Sequence, residues 1–274
     1  MKIMLDTINL TFVDFFDYEL AKKSHKELPT YEYFPKIQKL YEFFKWDKRD
    51  FILKRLGQNF YKLYDDIYLE IKNYSANGEK SNPEKKLVMV QIKGFFFLKN
   101  KYEQFQNIIA GLKDLEIKIS KIEIATDTQN EYVYETMIKT LKYRNEFIKL
   151  SGKDTKYYFN FSQKKYESIT LSNSVMLIKV YNKLEEINLD RNKAKIDFYY
   201  EKTGFEKDQD ITRLELSLKR SSSINQNLLD EIVLKNEEEF KKALLKEILI
   251  KMEILKNSNL KKLVQKLNEF CKIS

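Results

Sequence analysis

The sequence predicts an α+β fold: a central, mainly antiparallel β-sheet with helices packed on one face and a C-terminal helical appendage. Three observations lead there. KIEIATD (Lys121–Asp127), MLIKVYNK (Met176–Lys183) and TRLELSLKR (Thr212–Arg220) carry the two-residue alternation or the β-branched and aromatic content of strands. Tyr102 to Leu115 instead sets Phe105, Ile108, Ile109 and Leu112 on one side of a helix. Phe240, Leu244, Ile248, Met252 and Leu255 repeat that helical spacing near the C-terminus. Strands with one apolar face need a helical cover, and their polar faces are then left for a ligand.

The other elements follow in order. Leu5 to Val13 reads as a strand. Asp17 to Gln38 holds Pro29 and Pro35 and reads as a loop or broken helix, with His25 as a solvated surface residue. Lys36 to Phe44 has helical spacing. From Trp46 to Tyr74 a helical period is interrupted at Gly57, after which a pair of strands is the alternative; the aromatic residues there read as core rather than as base-stacking groups. Ser75 to Lys86 is a loop, with Asn-Gly and Asn-Pro as breakers. Leu87 to Lys93 is a strand, and Gly94 after it signals a bulge or a close backbone approach. Tyr132 to Tyr143 reads as a helix, Tyr157–Phe161 and Ser168–Leu171 as short strands, and Glu185–Asp190 as the end of the Met176 strand. Lys195–Tyr200 reads as another strand. Leu228–Leu255 and Asn259–Ile273 read as helices, divided from the rest at Ser221–Ser223, so residues 1–222 form the main unit and 223–274 the appendage.

Composition narrows the function. Of 274 residues, 43% are hydrophobic and 33% charged, with 6 Gly and 3 Pro, which suits a soluble chain with a core and no long linker. A net charge of +9 points to a polyanionic partner, nucleic acid ahead of a membrane surface. The competing explanation is the bias of a Lys-rich proteome. The lone Cys271 excludes an internal disulfide and fits a reducing cytoplasm. The lone His25 excludes a Ser-His-Asp triad, a multi-histidine metal site and a paired-histidine nuclease motif. No run of 18 apolar residues and no signal-peptide pattern occur, so a cytoplasmic protein without a membrane partner is expected.

Chemistry concentrates on three strand faces. Lys179, Tyr181 and Lys183 share one face, where flanking ammonium groups would ease ionisation of the phenol toward a nucleophilic phenolate. Glu123 and Asp127 share another across Ala125; a divalent cation would relieve their repulsion, and oxygen-only ligation favours Mg²⁺ or Mn²⁺. Arg213, Glu215, Ser217 and Lys219 face away from the Leu214, Leu216 and Leu218 stripe. The bland alternative is a set of solvated faces with ion-paired carboxylates and a packed tyrosine.

Taken in order, LVMVQIKGFFFLKNKYEQFQNII, KIEIATD, NSVMLIKVYNKLEE and TRLELSLKR resemble the replication-initiation factor family, which holds staphylococcal-type rolling-circle plasmid initiators, relaxases of some integrative elements and related filamentous-phage proteins. The resemblance spans roughly Leu5 to Arg220. Glu123 stands where the family has aspartate, Lys179 for arginine and Asn182 for aspartate, while Ser172 and Ser174 remain of a Gly-Ser pair. It implies a DNA strand transferase that nicks and rejoins one strand at an origin through a 5′-phosphotyrosine. Tyr181 would be the nucleophile; Lys179, Lys183 and Arg213 would bind phosphate; Glu123, Asp127 and Glu215 would hold Mg²⁺ or Mn²⁺. Tyr157, Tyr158 and Tyr166 stay open as alternative nucleophiles. The partner is origin DNA, single-stranded at the nick, with a host helicase and a second copy of the chain as further partners. A mobile-element relaxase with the same chemistry and a non-catalytic DNA-binding protein are the alternatives.

Overall fold

The computed structural model describes residues 3–23, 33–44, 60–64, 67–74, 82–99, 101–129, 154–160, 165–172, 175–189, 193–207, 209–219, 224 and 227–254. The expected helices at Tyr132–Tyr143 and Asn259–Ile273, and residues His25 and Cys271, lie outside them.

Among the described residues nine strands form one sheet: β1 (Ile3–Phe15), β2 (Phe60–Tyr64), β3 (Ile67–Tyr74), β4 (Asn82–Lys93), β5 (Lys118–Thr128), β6 (Asp154–Asn160), β7 (Lys165–Ser172), β8 (Met176–Asn182) and β9 (Thr212–Lys219). Their order is β2-β3-β4-β1-β5-β9-β8-β7-β6, and each neighbouring pair is antiparallel. The α+β class with a central antiparallel sheet is therefore as expected. One sheet face carries Ile122, Ile124, Ile178, Val180, Leu214, Leu216 and Leu218 into the main core. That core is closed by α2 (Pro35–Phe44), α3 (Gly94–Leu98), α4 (Tyr102–Leu112), α7 (Leu228–Leu234) and α8 (Glu237–Ile254) through residues such as Ile37, Phe96, Phe105, Ile232 and Phe240. A short helix α1 (Tyr18–Lys23) precedes α2.

Helix ends show why these segments fold as they do. Buried Asp14 on β1 accepts the Ile37 backbone N–H at 2.7 Å, capping the start of α2. The C-terminal helix, expected unbroken from Leu228, divides at Asn236. That side chain accepts the Glu239 N–H at 3.0 Å while Glu239 accepts the Asn236 N–H at 3.3 Å, a reciprocal capping box that restarts the helix. Phe240, Leu244 and Ile248 of α8 then enter the main core rather than a separate one.

Several local expectations are corrected. Residues 60–64 and 67–74 form the strand pair, so the helical period read across Trp46–Tyr74 does not hold there. The Ser75–Lys86 loop ends earlier, since β4 already begins at Asn82. Of Glu185–Asp190, residues 185–189 are described and fall in a helix, as do Lys195–Tyr200: α5 (Lys183–Leu189) and α6 (Lys193–Thr203). Asn182 starts the first of these by accepting the Leu184 N–H at 3.0 Å. Gly204 ends the second with φ +72° and its N–H on the Tyr200 carbonyl at 2.9 Å, a left-handed cap that suits glycine. Ile187 of α5 and Tyr199 and Tyr200 of α6 join Ile211 in a small second cluster.

Candidate active site

Register brings the three chemical strands side by side. Ala125 pairs with Glu215 and Asp127 with Arg213 across β5–β9; Lys179 pairs with Glu215 and Tyr181 with Arg213 across β8–β9. Side chains on opposed residues project to the same side, so the charged residues of β5, β8 and β9 share one face. Sequence alternation placed them there correctly. It also suggested an open face, and that is not found: Glu123, Asp127, Tyr181, Arg213 and Glu215 are all buried. Helices α5 and α6, read as strand end and strand in the sequence, lie over the face and, with residues of β1, β4 and α3, line a cavity of about 180 Å³. Its lining includes Asp6, Lys93, Phe95, Tyr181, Lys183 and Glu215.

Tyr181 is a buried residue in the lining of this cavity. Its hydroxyl oxygen lies 2.6 Å from Glu215 and 2.7 Å from Glu186 of α5. A phenol has one proton to donate. Both contacts become hydrogen bonds when the phenol donates to Glu186 and a protonated Glu215 donates to the phenol. The charges agree with that arrangement. Burial, with Asp6 nearby, pushes the Glu215 carboxyl up to about 7. Glu186 is held down at about 2, where burial is outweighed by the Lys183 ammonium, the Tyr181 hydroxyl and Arg213. The Lys183 ammonium donates to Glu186 at 2.6 Å. Lys179 lies over the Tyr181 ring, 3.9 Å from its centroid.

Two expectations change here. Flanking lysines were expected to ease ionisation of Tyr181; instead its pKa is raised, chiefly by burial and then by Glu215 and Glu186, against the opposing pull of Arg213. Lys183 was placed on the strand face, but the chain turns at Asn182 and sets Lys183 in the first turn of α5. Burial and Arg213 lower its pKa.

Arg213 was expected to bind phosphate. It is locked in place, donating from Nε and a terminal nitrogen to the two Asp127 oxygens at 2.6 Å each and from its other terminal nitrogen to Asp6 at 2.8 Å. Tyr199 of α6 donates its hydroxyl to Asp127 at 2.7 Å. Glu123 accepts from Ser217 and pairs with Lys121 at 2.7 Å.

The expected ion site can now be tested against its donors. Glu123, Asp127 and Glu215 are oxygen donors on one face, as Mg²⁺ or Mn²⁺ needs. Yet Asp127 spends both oxygens on Arg213, Glu123 is held by Lys121 and Ser217, and Glu215 is held by Tyr181. Among the described residues no three acidic, histidine or cysteine side chains gather as an ion site. The trio does not fit a shared ion.

Asp6 and Glu186 are the site residues that sequence reasoning missed. Gly94 was the available signal for the first: a Cβ there would lie 2.9 Å from Asp6 Oδ1 and 3.2 Å from the Asp6 carbonyl oxygen, so β4 ends in close contact with Asp6. For Glu186 the signal was its i,i+3 spacing from Lys183, legible once Asn182 is read as a helix cap. Of the alternative tyrosines, Tyr157 and Tyr158 lie on β6, two strands from β8, and Tyr166 lies on β7.

No protein-family profile matches the chain, and no curated protein matches it. Among solved structures, a rolling-circle replication initiator protein from Geobacillus stearothermophilus is similar at 14% identity and a TM-score of 0.43, over 85% of this chain and 78% of that one. No helix among the described residues is long and apolar enough to cross a membrane.

Proposed function

We propose that the chain is a DNA strand transferase that nicks and rejoins one strand at an origin through Tyr181, as a rolling-circle replication initiator does. The observation that carries this reading is the buried Tyr181 in the lining of a cavity it shares with Lys93, Lys183, Lys195 and Arg213, its hydroxyl 2.6 Å from Glu215. A carboxyl with a pKa of about 7 is well matched to accept a proton at neutral pH. In the reactive form Glu215 is ionised and the phenol donates to it instead of to Glu186. In the forward step the Tyr181 oxygen bonds to phosphorus, its proton passes to Glu215, and the bond from phosphorus to the 3′ oxygen breaks. The 3′ oxygen takes a proton from the Lys183 ammonium, whose lowered pKa makes it a readier donor. The products are a 5′-phosphotyrosine and a free 3′ hydroxyl that can prime synthesis. Rejoining runs the same transfers backward. Asp127, Asp6 and Tyr199 fix Arg213 beside the reacting phenol, where its charge opposes the loss of acidity that burial causes.

Supercoiled DNA bearing the origin, incubated with the protein in the presence of Mg²⁺, of Mn²⁺ and of EDTA in parallel, tests the reading. The wild type should give nicked DNA and a covalent adduct, and Tyr181→Phe should give neither while still binding DNA. An adduct that survives in Tyr181→Phe and is lost at Tyr157, Tyr158 or Tyr166 moves the nucleophile; no adduct under any of the conditions refutes strand transfer.

A further inference from the structure

Phe95, Phe96 and Phe97 are consecutive on α3, and two of them have an evident task. Phe96 and Phe97 are buried in the main core. Phe95 belongs to neither hydrophobic cluster and lies half-buried in the wall of the Tyr181 cavity. Cations gather on it: the Lys99 ammonium is 4.6 Å and the Lys195 ammonium 5.1 Å from its ring centroid. Phe198 of α6 meets it edge-on at 5.5 Å, and Lys202 lies 5.3 Å from the Phe198 centroid. Lys93 and Lys195 line the same cavity. An aromatic face kept out of the core, ringed by ammonium groups and opening on a site for phosphodiester chemistry, has the parts of a base-stacking platform. The ring offers a π-face to any base and the lysines meet the flanking phosphates.

We infer that Phe95, flanked by Phe198, Lys99 and Lys195, is the platform on which a base of single-stranded DNA stacks next to the phosphate that Tyr181 attacks. This rests on the strand-transfer reading and adds where the strand lies. The incoming base displaces one ammonium from the ring, and that ammonium turns to a phosphate.

The test is fluorescence anisotropy of a labelled oligo-dT and of an abasic oligomer of equal length and charge, with the full chain. Phe95→Ala should weaken oligo-dT about 5- to 150-fold, the range for losing one stacked base. It should change the abasic oligomer by less than about twofold, since no base is there to lose. Phe95→Trp should bind oligo-dT at least as well as the wild type. Should Phe95→Ala melt at a lower temperature, Phe95→Leu, which keeps bulk without a π-face, replaces it and should show the same contrast. Unchanged oligo-dT binding, or an equal loss on both oligomers, overturns the platform. If a Tyr181 adduct forms while Phe95 is neutral, only this inference fails; if neither oligomer binds and no adduct forms, strand transfer fails as well.

Discussion

Glu215 and Arg213 are neighbours but one on β9, and burial treats them oppositely. Arg213 is surrounded by its counter-charges, so Asp127 and Asp6 hold its pKa well above the ordinary value against the pull of burial. Removing one partner of such a pair strands the other, at a cost of about 3–5 kcal/mol. Asp127→Ala should therefore lower stability in urea by that order, and a loss of cleavage in that variant would reflect the scaffold. Around Glu215, burial and Asp6 outweigh the Tyr181 hydrogen bond and the positive charges of Lys179 and Arg213. Its carboxyl sits at about 7 when folded against 4.5 when unfolded, so between those values the folded state holds the extra proton. Stability from this group is then present below pH 4.5 and lost as pH rises through 7. Glu215→Gln should melt progressively higher than the wild type from pH 5 to pH 8, and cleavage by the wild type should rise through an apparent midpoint near pH 7, where Glu215 becomes able to accept a proton. A melting difference that does not change with pH would contradict the assignment. Gly94→Ala should disturb Asp6, because its Cβ would meet both the Asp6 side chain and its carbonyl. We expect reduced cleavage from a variant that still folds.

At the scale of elements, period and propensity located the strands that bear the site but not the helices that close it. The alternation in β8 and β9 is strong, and it assigned their faces correctly up to Asn182, beyond which Lys183 turns into α5. Lys195–Tyr200 has the Ile, Phe and Tyr content of a strand, yet it is α6, because Gly204 caps it and Tyr199 and Tyr200 bury against Ile187 and Ile211. Burial of the polar face was invisible for that reason: a strand there offers no lid. Asp6 entered the site through pairing between residues far apart in sequence, which one chain's periodicity does not report. At the other end of the chain, the apolar stripe of α8 reads either as packing on the sheet or as a partner-binding surface, and Phe240, Leu244 and Ile248 lie in the main core. Truncation at Ser223 should thus lower the melting temperature or prevent folding, and Phe240→Ala alone should cost about 3–5 kcal/mol in chemical denaturation. A truncated chain that melts like the full one would show those contacts to be unimportant.

For the whole molecule, the proposed function, with a charge of +9 and Lys93, Lys183 and Lys195 in the cavity lining, predicts binding through phosphate contacts. Affinity for single-stranded DNA should fall steeply with salt, with a slope of about −0.7 per phosphate contacted on a logarithmic plot. A salt-independent affinity would remove the electrostatic part of this account. Its centre is the proposed covalent bond from Tyr181 to phosphorus, which a direct measurement can locate. The protein is incubated with a single-stranded origin oligonucleotide, digested with nuclease and protease, and sequenced by mass spectrometry. The account predicts one peptide spanning MLIKVYNK with nucleotide mass on Tyr181, absent from Tyr181→Phe. Nucleotide mass on any other tyrosine, or on none while the DNA is nicked, would contradict it.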